Sequence, residues 1–330
     1  MYIKIPSSHS LGIFMQKVVD NMQIMVYTLV CQGATPRTIH SEKRKTSMKK
    51  LTALLLAVVM LATLCCSCGT ANTAKVKVID IPLSEESYAF CVGQNDTELL
   101  GKVNEYLKKI KGDGTFDAIC DKYFGDGTPA AITSAAEDKN KDQLVVATST
   151  GFEPFEMVDA GKYSGIDLEI ADGLAKYLGK ELVIKDMQFE AVVTSVQQGL
   201  CDIGMAGLTI TPARQEVVTF SDSYYSANQV LIVPGDNTEF DACKTADDVV
   251  AILNAKNADC KIGCQRGTTG AVYIDGDSED PDGYGFAGLP ATKMEYDYAA
   301  LAFTAMINGE IDYVIVDDAP AKAIAKAVNG

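Results

Sequence analysis

Residues 202–214 have the sequence DIGMAGLTITPAR, in which an apolar strand leads into a loop of small residues, two threonines and one arginine. The loop supplies Ala206, Gly207 and Thr209. A buried strand end leaves free backbone polar groups, and Arg214 is close enough in sequence to share a site with them. This combination suits the binding of a small zwitterion. Taken alone, the segment equally fits a strand, a turn and a surface arginine in an ion pair.

The composition predicts a folded, acidic protein that does not bind nucleic acid. The chain has 330 residues, of which 47% are hydrophobic, and a formal net charge of −15; this allows two domains with a well-filled core. Residues 1–67 hold eight Lys/Arg and two Asp/Glu, so the remainder carries a net charge of −21. Such a surface repels nucleic acid.

Histidine is confined to the leading segment, where both copies, His9 and His40, are found. The rest of the chain therefore has no histidine to serve as a metal ligand or as a general base near neutral pH. We predict neither a metal nor a cofactor.

Residues 48–68 have the layout of an export signal, with a short basic head, an apolar run and then small residues with cysteines. The apolar run is short for a stable membrane span. The segment resembles a bacterial lipoprotein signal with lipidation at Cys68, while Cys65 and Cys66 remain alternatives. An uncleaved N-terminal anchor also remains open. In either case the rest of the chain is expected to be extracytoplasmic and tied to the cell membrane.

Residues 1–47 contribute no periodic pattern that would dock onto the rest of the chain. We therefore expect Met48 to be the true start and residues 1–47 to be an upstream extension that is not translated. Six cysteines lie beyond residue 68 and show neither a CxxC pair nor metal-ligand spacing. Export permits disulfides, but three of the six lie in or beside apolar runs, so free thiols are expected.

Hydrophobic periodicity predicts an α/β protein. Residues 125–143 lose all periodicity and are expected to form a linker. Strands are expected at residues 75–81, 88–93, 144–148, 181–187, 261–265 and 312–317. Helices are expected at residues 99–110, 115–124, 166–178, 189–200, 245–256, 298–308 and from 318 to 328. After the linker, strands and helices alternate, which predicts parallel sheets covered by helices, with ligands at the carboxyl ends of the strands.

Longer motifs in the same order carry a family resemblance. They are ATSTGFEPFEM, YSGIDLEIADGLAKYLGK, QQGLCDIGMAGLTITPARQEVVTFSDSYY and SANQVLIV between residues 147 and 233, then QRGTTG at 265–270 and EIDYVIVD at 310–317. This set resembles the extracytoplasmic solute-binding proteins of polar amino-acid ABC importers, family 3. The resemblance implies a type II periplasmic-binding-protein-like fold, in which two α/β lobes are joined by two hinge strands.

The same resemblance implies a function. A free amino acid would be bound outside the cytoplasm and delivered to an ABC permease and its ATPase by closure of the two lobes. Closure is expected about crossings near residues 89–92 and 227–231. The alternative is an enzyme, since a few relatives of this fold resemble dehydratases that act on cyclic carboxylates. Such a site needs an acid–base group beyond the carboxylate clamp, and only Glu153 and Asp317 offer themselves.

The order of segments departs from the family. The block KGDGTFDAICDKYFGDG, residues 111–127, resembles the family's C-terminal ending but lies in front of the first lobe. The chain therefore resembles a circular permutant and is expected to be a monomer. The second lobe would comprise residues 75–90 and 229–330, and the first lobe residues 91–228, including the linker 126–143. A truncated tandem array, or a swap of residues 75–125 into a neighbouring molecule, remains the alternative.

The resemblance assigns roles to individual residues. Arg214 would bind the ligand α-carboxylate, together with backbone N–H groups of Thr209 and Thr269. Asp317 would accept from the α-ammonium, assisted by the Gly207 carbonyl and the Thr209 hydroxyl. The other expected ligand contacts are Ala206, Gln265 and Thr268, with Phe152 and Phe189 as aromatic walls. Asp317 as a helix N-cap and the two phenylalanines as ordinary core remain alternatives.

The side-chain pocket is predicted from the same motifs. Ser149 occupies a position where relatives that hold cationic or amide side chains often carry an acidic residue, and Gln265 is neutral. This favours a polar or uncharged amino acid as the ligand. Glu153 would reverse the preference if it pointed inward.

Overall fold

The computed structural model of this chain describes residues 75–125, 127–277 and 283–330. The expected lipoprotein signal at 48–68, with Cys68, and the upstream extension at 1–47 lie outside the described residues. Everything described belongs to one compact unit, residues 72–330. Within it, no helix combines the length and the apolar composition needed to cross a bilayer.

Fourteen strands and nine helices are formed in the described part of the chain. The strands are β1 Val76–Ile79, β2 Glu86–Tyr88, β3 Cys91–Gly93, β4 Gln143–Thr148, β5 Met157–Asp159, β6 Lys162–Ser164, β7 Glu181–Asp186, β8 Ile203–Gly204, β9 Val218–Phe220, β10 Tyr225–Ala227, β11 Gln229–Pro234, β12 Lys261–Gln265, β13 Thr292–Tyr296 and β14 Tyr313–Asp317. The helices are α1 Thr97–Gly112, α2 Thr115–Phe124, α3 Ile166–Leu178, α4 Phe189–Gln197, α5 Pro212–Gln215, α6 Ala246–Asn254, α7 Thr269–Asp275, α8 Ala299–Ile307 and α9 Asp318–Asn329.

Two five-stranded sheets form the centres of two lobes. The first sheet has the order β7-β4-β8-β3-β9, and helices α3 and α4 pack on it. The second has the order β1-β11-β14-β12-β13, with α7, α8 and α9 against it. Both central layers are built from buried β-branched and leucine side chains, which is the composition expected for strands covered on both faces.

Both sheets are mixed, so the prediction of parallel sheets was wrong in part. Strand β4 is parallel to β7 and β8, and β12 is parallel to β13 and β14, as the alternation of strands and helices requires. Strand β3 is antiparallel to β8 and β9, and β11 is antiparallel to β1 and β14. Strands β3 and β11 directly follow the two crossings, so each enters its sheet from the other lobe.

The two crossings pair with each other. Strands β2 and β10 form an antiparallel ladder in which Tyr88 lies opposite Tyr225 and Glu86 lies opposite Ala227. The structure therefore has two strands, β2 and β3, where the sequence predicted a single strand at 88–93. Strand β2 pairs with β10, whereas β3 pairs with β8 and β9. The apolar segment at 226–234 is divided at Asn228 in the same way.

The helical pair that precedes the linker docks on the first lobe. Asp96 caps α1 by accepting a hydrogen bond from the Leu99 N–H at 3.0 Å. Helix α1 meets α3 at Gly173, where a Cβ atom would lie 1.9 Å from the Tyr106 hydroxyl. Glycine at this position therefore permits the close approach of the two helices.

Apart from Gln143, which begins β4, the described residues of the predicted linker form neither a helix nor a strand, but they are held in place. The Ala135 N–H donates to the Leu182 carbonyl (2.9 Å), and the Ile184 N–H donates to Ser134 Oγ (2.8 Å). The sequence also gave no prediction of the β5–β6 hairpin, whose turn residues Ala160 and Gly161 have φ of 48° and 76°. Two positive φ values are typical of the tightest hairpin turns.

Candidate functional site

The loop after β8 is fixed by its own core contacts. Leu208 is buried with Val192 and Val196 of α4. This packing fixes the positions of its neighbours Gly207 and Thr209, between the two lobes. Gly207 has φ of +53°, and a Cβ there would lie 2.8 Å from Cε1 of Phe152. The loop therefore depends on a glycine at its centre.

A buried carboxylate supports this loop from behind. Asp167, the second residue of α3, accepts from the Gly207 N–H at 2.9 Å and from the Tyr224 hydroxyl. Burial raises the pKa of Asp167 to about 6. The Gly207 N–H is therefore already used, which leaves the carbonyl as the remaining polar backbone group of this residue.

Arg214 lies on the short helix α5. Thr211 begins that helix and accepts from the Arg214 N–H (3.1 Å), with Pro212 at the first helical position. Arg214 Nη1 donates to the Thr209 carbonyl at 2.7 Å, and its guanidinium lies 5.2 Å from the centre of the Phe189 ring. Burial lowers the pKa of Arg214, yet an arginine stays cationic in proteins. The Thr209 carbonyl and the Phe189 ring thus hold the guanidinium, which has further N–H groups left to donate.

The opposite lobe contributes the loop after β12. Thr268 Oγ1 donates to the Gln265 carbonyl at 2.7 Å, and helix α7 begins at the next residue, Thr269. Gln265, Thr268 and Thr269 are all buried. The free N–H groups of a helix start favour an anionic group at this point.

The two loops meet across the cleft. Arg214 Nη2 donates to the Gly267 carbonyl at 3.1 Å, and the Tyr284 hydroxyl donates to the Ile210 carbonyl at 2.6 Å. Gln188 Nε2 donates to the Tyr298 hydroxyl at 3.2 Å. The lobes are therefore in a closed arrangement.

Asp317 ends β14 and is 4% exposed. Its Oδ1 accepts from the Tyr88 hydroxyl at 2.7 Å. Although Asp317 occupies the position before α9, its side chain makes no capping hydrogen bond, which argues against the N-cap alternative. Burial, and next the negative charge of Glu86, raise the pKa of Asp317 to about 7, against the opposing hydrogen bonds from Tyr88 and Gln229.

Glu86 is the cleft residue that sequence reasoning missed. It is 5% exposed and accepts from Thr209 Oγ1 and Thr269 Oγ1, both at 2.7 Å, so one carboxylate contacts both ligand loops. Glu86 and Tyr88 are buried and Ser87 is exposed, but Glu86 lies outside the strands predicted from the sequence. Nothing in the local sequence indicated which loops it would meet.

The structure brings together only some of the residues predicted to form the aromatic walls and the side-chain pocket of the ligand site. The Phe152 ring packs against Tyr88 and Phe155, with centroids 6.5 and 6.1 Å apart. Ser149 is buried, and its Oγ has no hydrogen-bond partner among the residues that the structure describes. Glu153 is exposed and lines a separate cavity of about 780 Å³ with Lys322 and Lys326 of α9.

Comparison with known proteins places these loops in a family. Residues 144–267 match the family described as "Bacterial extracellular solute-binding proteins, family 3", a range that includes Arg214 and ends at Gly267, before Thr268 and Thr269. The chain is also 30% identical to holo ArgBP from T. maritima, with a TM-score of 0.45, over 56% of this chain and 74% of that chain. The chain belongs to this solute-binding family.

Two curated relatives of this family 3 solute-binding protein carry names that describe binding. "Arginine-binding extracellular protein ArtP" of Bacillus subtilis (strain 168) is 33% identical over 110 residues, which are 33% of this chain and 43% of the relative. "Glutamine-binding protein" of Geobacillus stearothermophilus is 28% identical over 211 residues, which are 61% of this chain and 72% of the relative. The chain thus spans less than half of ArtP. Neither name describes an enzyme.

Proposed function

We propose that this family 3 solute-binding protein binds a free amino acid outside the cytoplasm and delivers it, by lobe closure, to an ABC permease and its ATPase. The observation that carries the proposal is the closed cleft, where Arg214 of one lobe contacts Gly267 of the other at 3.1 Å. The Arg214 guanidinium and the N-terminus of α7 match the carboxylate of an amino acid, and the buried carboxylate of Asp317 matches its ammonium group. Family membership and the names of the relatives support it.

Each residue has a role in this proposal. The remaining N–H groups of Arg214 hold the ligand α-carboxylate, with the backbone N–H groups of Thr209 and Thr269. Asp317 accepts from the α-ammonium, assisted by the Gly207 carbonyl and the Thr209 hydroxyl. The other ligand contacts are Ala206, Gln265 and Thr268, with Phe152 and Phe189 as walls. Ligand docks first on the Arg214 lobe, and closure about β2 and β10 then forms the contact with Gly267.

The proposed ligand has a polar or uncharged side chain. Ser149 is buried with an unpaired hydroxyl, and Gln265 is neutral. A screen of the twenty amino acids by thermal shift, followed by calorimetry, tests this. We expect glutamine or another neutral polar amino acid to bind at least ten times more tightly than arginine or lysine, since a cationic side chain gains no paired carboxylate at Ser149. The reverse order would contradict the side-chain assignment, and no binding by any amino acid would contradict the function.

The proposed location is the outer face of the cell membrane, through a lipid at Cys68. This rests on the layout of residues 48–68 and agrees with the extracellular description of the family.

We also propose that the order of segments arose by circular permutation and that the chain is a monomer. Asn329 Oδ1 accepts from the backbone N–H groups of Lys75 (2.7 Å) and Val76 (3.2 Å), and Asn329 Nδ2 donates to the Val76 carbonyl (3.0 Å). The end of α9 and the start of β1 are therefore adjacent, as the two sides of a former chain connection would be.

A rearranged variant tests the permutation. In it, residues 126–330 come first and residues 75–125 follow, with Gly330 joined to Lys75. We expect the ligand affinity of the variant to lie within about threefold of the original. The two ends that are joined already lie side by side, so the free-energy cost of closing the loop is small. Light scattering should give a monomer for both chains. An obligate dimer in the original order, together with an unfolded rearranged chain, would favour the swap of residues 75–125 instead.

A further inference from the structure

We propose that Glu86 is a second carboxylate of the ammonium subsite and acts with Asp317 to select ligands that carry an α-ammonium group. The inference rests on the proposed function and deepens it, because it names a chemical requirement of the ligand and a residue that enforces it.

Glu86 is surrounded by neutral donors from three parts of the molecule. Oε1 accepts from Ser84 Oγ at 2.9 Å, and Oε2 accepts from Thr209 Oγ1 and Thr269 Oγ1 at 2.7 Å each. In the described part of the chain its hydrogen-bond donors are these three hydroxyls, with no lysine or arginine among them. A buried carboxylate held by hydroxyls alone keeps most of its negative charge available to a ligand.

Glu86 and Asp317 share the floor of the cleft. Glu86 and Tyr88 project from the same face of β2, since their positions differ by two residues, and the Tyr88 hydroxyl donates to Asp317 Oδ1. A second link runs through Gln229, whose Nε2 donates to Thr269 Oγ1 at 3.1 Å and whose backbone lies opposite Asp317 in the β11–β14 ladder. The mutual repulsion of the two carboxylates contributes to the raised pKa of Asp317.

The acceptors in this part of the cleft match one type of ligand group. Gln229 is fully buried, and its carboxamide oxygen has no donor. An ammonium group has three N–H donors and no acceptor, so it can be shared between Asp317 and Glu86. A positive charge between two buried carboxylates also removes their repulsion. A ligand with a hydroxyl, a keto group or hydrogen in place of the amine gains neither effect.

A purely structural role for Glu86 predicts a different outcome. If Glu86 only connected the two lobes through Thr209 and Thr269, its loss would weaken every ligand equally, whatever group that ligand placed against Asp317. The decisive measurement is therefore the change in selectivity between two ligands, and not the change in affinity for one.

The experiment uses the tightest-binding amino acid of the screen and its analogue with hydrogen in place of the α-amino group; for L-glutamine this analogue is glutaramate. Calorimetry gives the Kd of both probes for wild type, Glu86→Gln and the matched control Glu85→Gln, whose side chain is exposed on the neighbouring residue. We expect Glu86→Gln to weaken amino-acid binding about 10- to 100-fold and analogue binding less than about threefold. Glu85→Gln should change neither.

Equal weakening of both probes, or no weakening of either, in a Glu86→Gln variant with a wild-type thermal melting curve would overturn the role of Glu86 and leave the proposed function standing. If Glu86→Gln does not fold, Glu86→Asp keeps the charge and shortens the side chain, and it should still discriminate between the probes by at least tenfold. Failure of the wild-type chain to bind any amino acid would overturn the proposed function itself.

Discussion

Replacement of Arg214 by alanine is expected to raise the Kd for the amino acid at least about 100-fold and to leave the fold intact. The guanidinium offers charge-assisted hydrogen bonds to the ligand carboxylate, each of which contributes about 1.5–3 kcal/mol, and a loss of two such bonds corresponds to a change of two or more powers of ten in Kd. Isothermal titration calorimetry measures the affinity, and circular dichroism during heating measures the stability.

The fold should survive because Arg214 is only partly buried and lies outside the hydrophobic clusters of both lobes. Arg266→Ala is the matched control, since Arg266 lies in the facing loop with partners Glu190 and Asp297 at 3.7 and 3.6 Å. Such exposed ion pairs contribute little to stability, so the Kd of the Arg266→Ala variant for the amino acid should change less than about threefold. Wild-type affinity in Arg214→Ala for every amino acid would remove Arg214 from the site.

The residues at strand ends were predictable from the sequence alone. Thr209 and Arg214 follow β8, Thr269 follows β12, and Asp317 ends β14. In α/β sheets the carboxyl ends of parallel strands lie at one edge, so polar residues just beyond them converge without knowledge of the tertiary structure. This rule indicates the edge of each sheet, and the family resemblance singled out these loops on it.

Glu86 shows what the sequence could not provide. Its neighbours Thr209 and Thr269 are 123 and 183 residues away along the chain, and β2 is a crossing strand rather than a strand within either sheet. Local alternation identifies the buried face of such a strand, but the partner of that face depends on how the lobes close. The antiparallel direction of β3 and β11 was missed for the same reason, since it is set by the lobe from which each crossing enters.

The position of Asp317 has a second measurable consequence, in the dependence of affinity on pH. With a pKa of about 7, Asp317 is largely protonated below neutral pH and cannot accept a charge-assisted bond from the ligand ammonium. Binding therefore releases a proton, and affinity should rise with pH, by about 100-fold between pH 5 and pH 8 if the bound-state pKa lies below 5. Calorimetry at pH 7 in two buffers of different ionisation enthalpy should report release of about half a proton.

Asp317→Asn separates this effect from other titrating groups. The titratable groups around Asp317 include Glu86, Glu156, Arg214 and the Tyr88 hydroxyl. Burial raises the pKa of Glu156 and of Tyr88, and Arg214 stays cationic. Asp167, with a pKa of about 6, is the competing candidate, because it holds the Gly207 N–H. The asparagine variant should bind weakly and with an affinity that is the same at pH 5 and pH 8. A slope that survives in the variant would assign the titration to another group, such as Asp167 or the neighbouring Glu156, and not to Asp317.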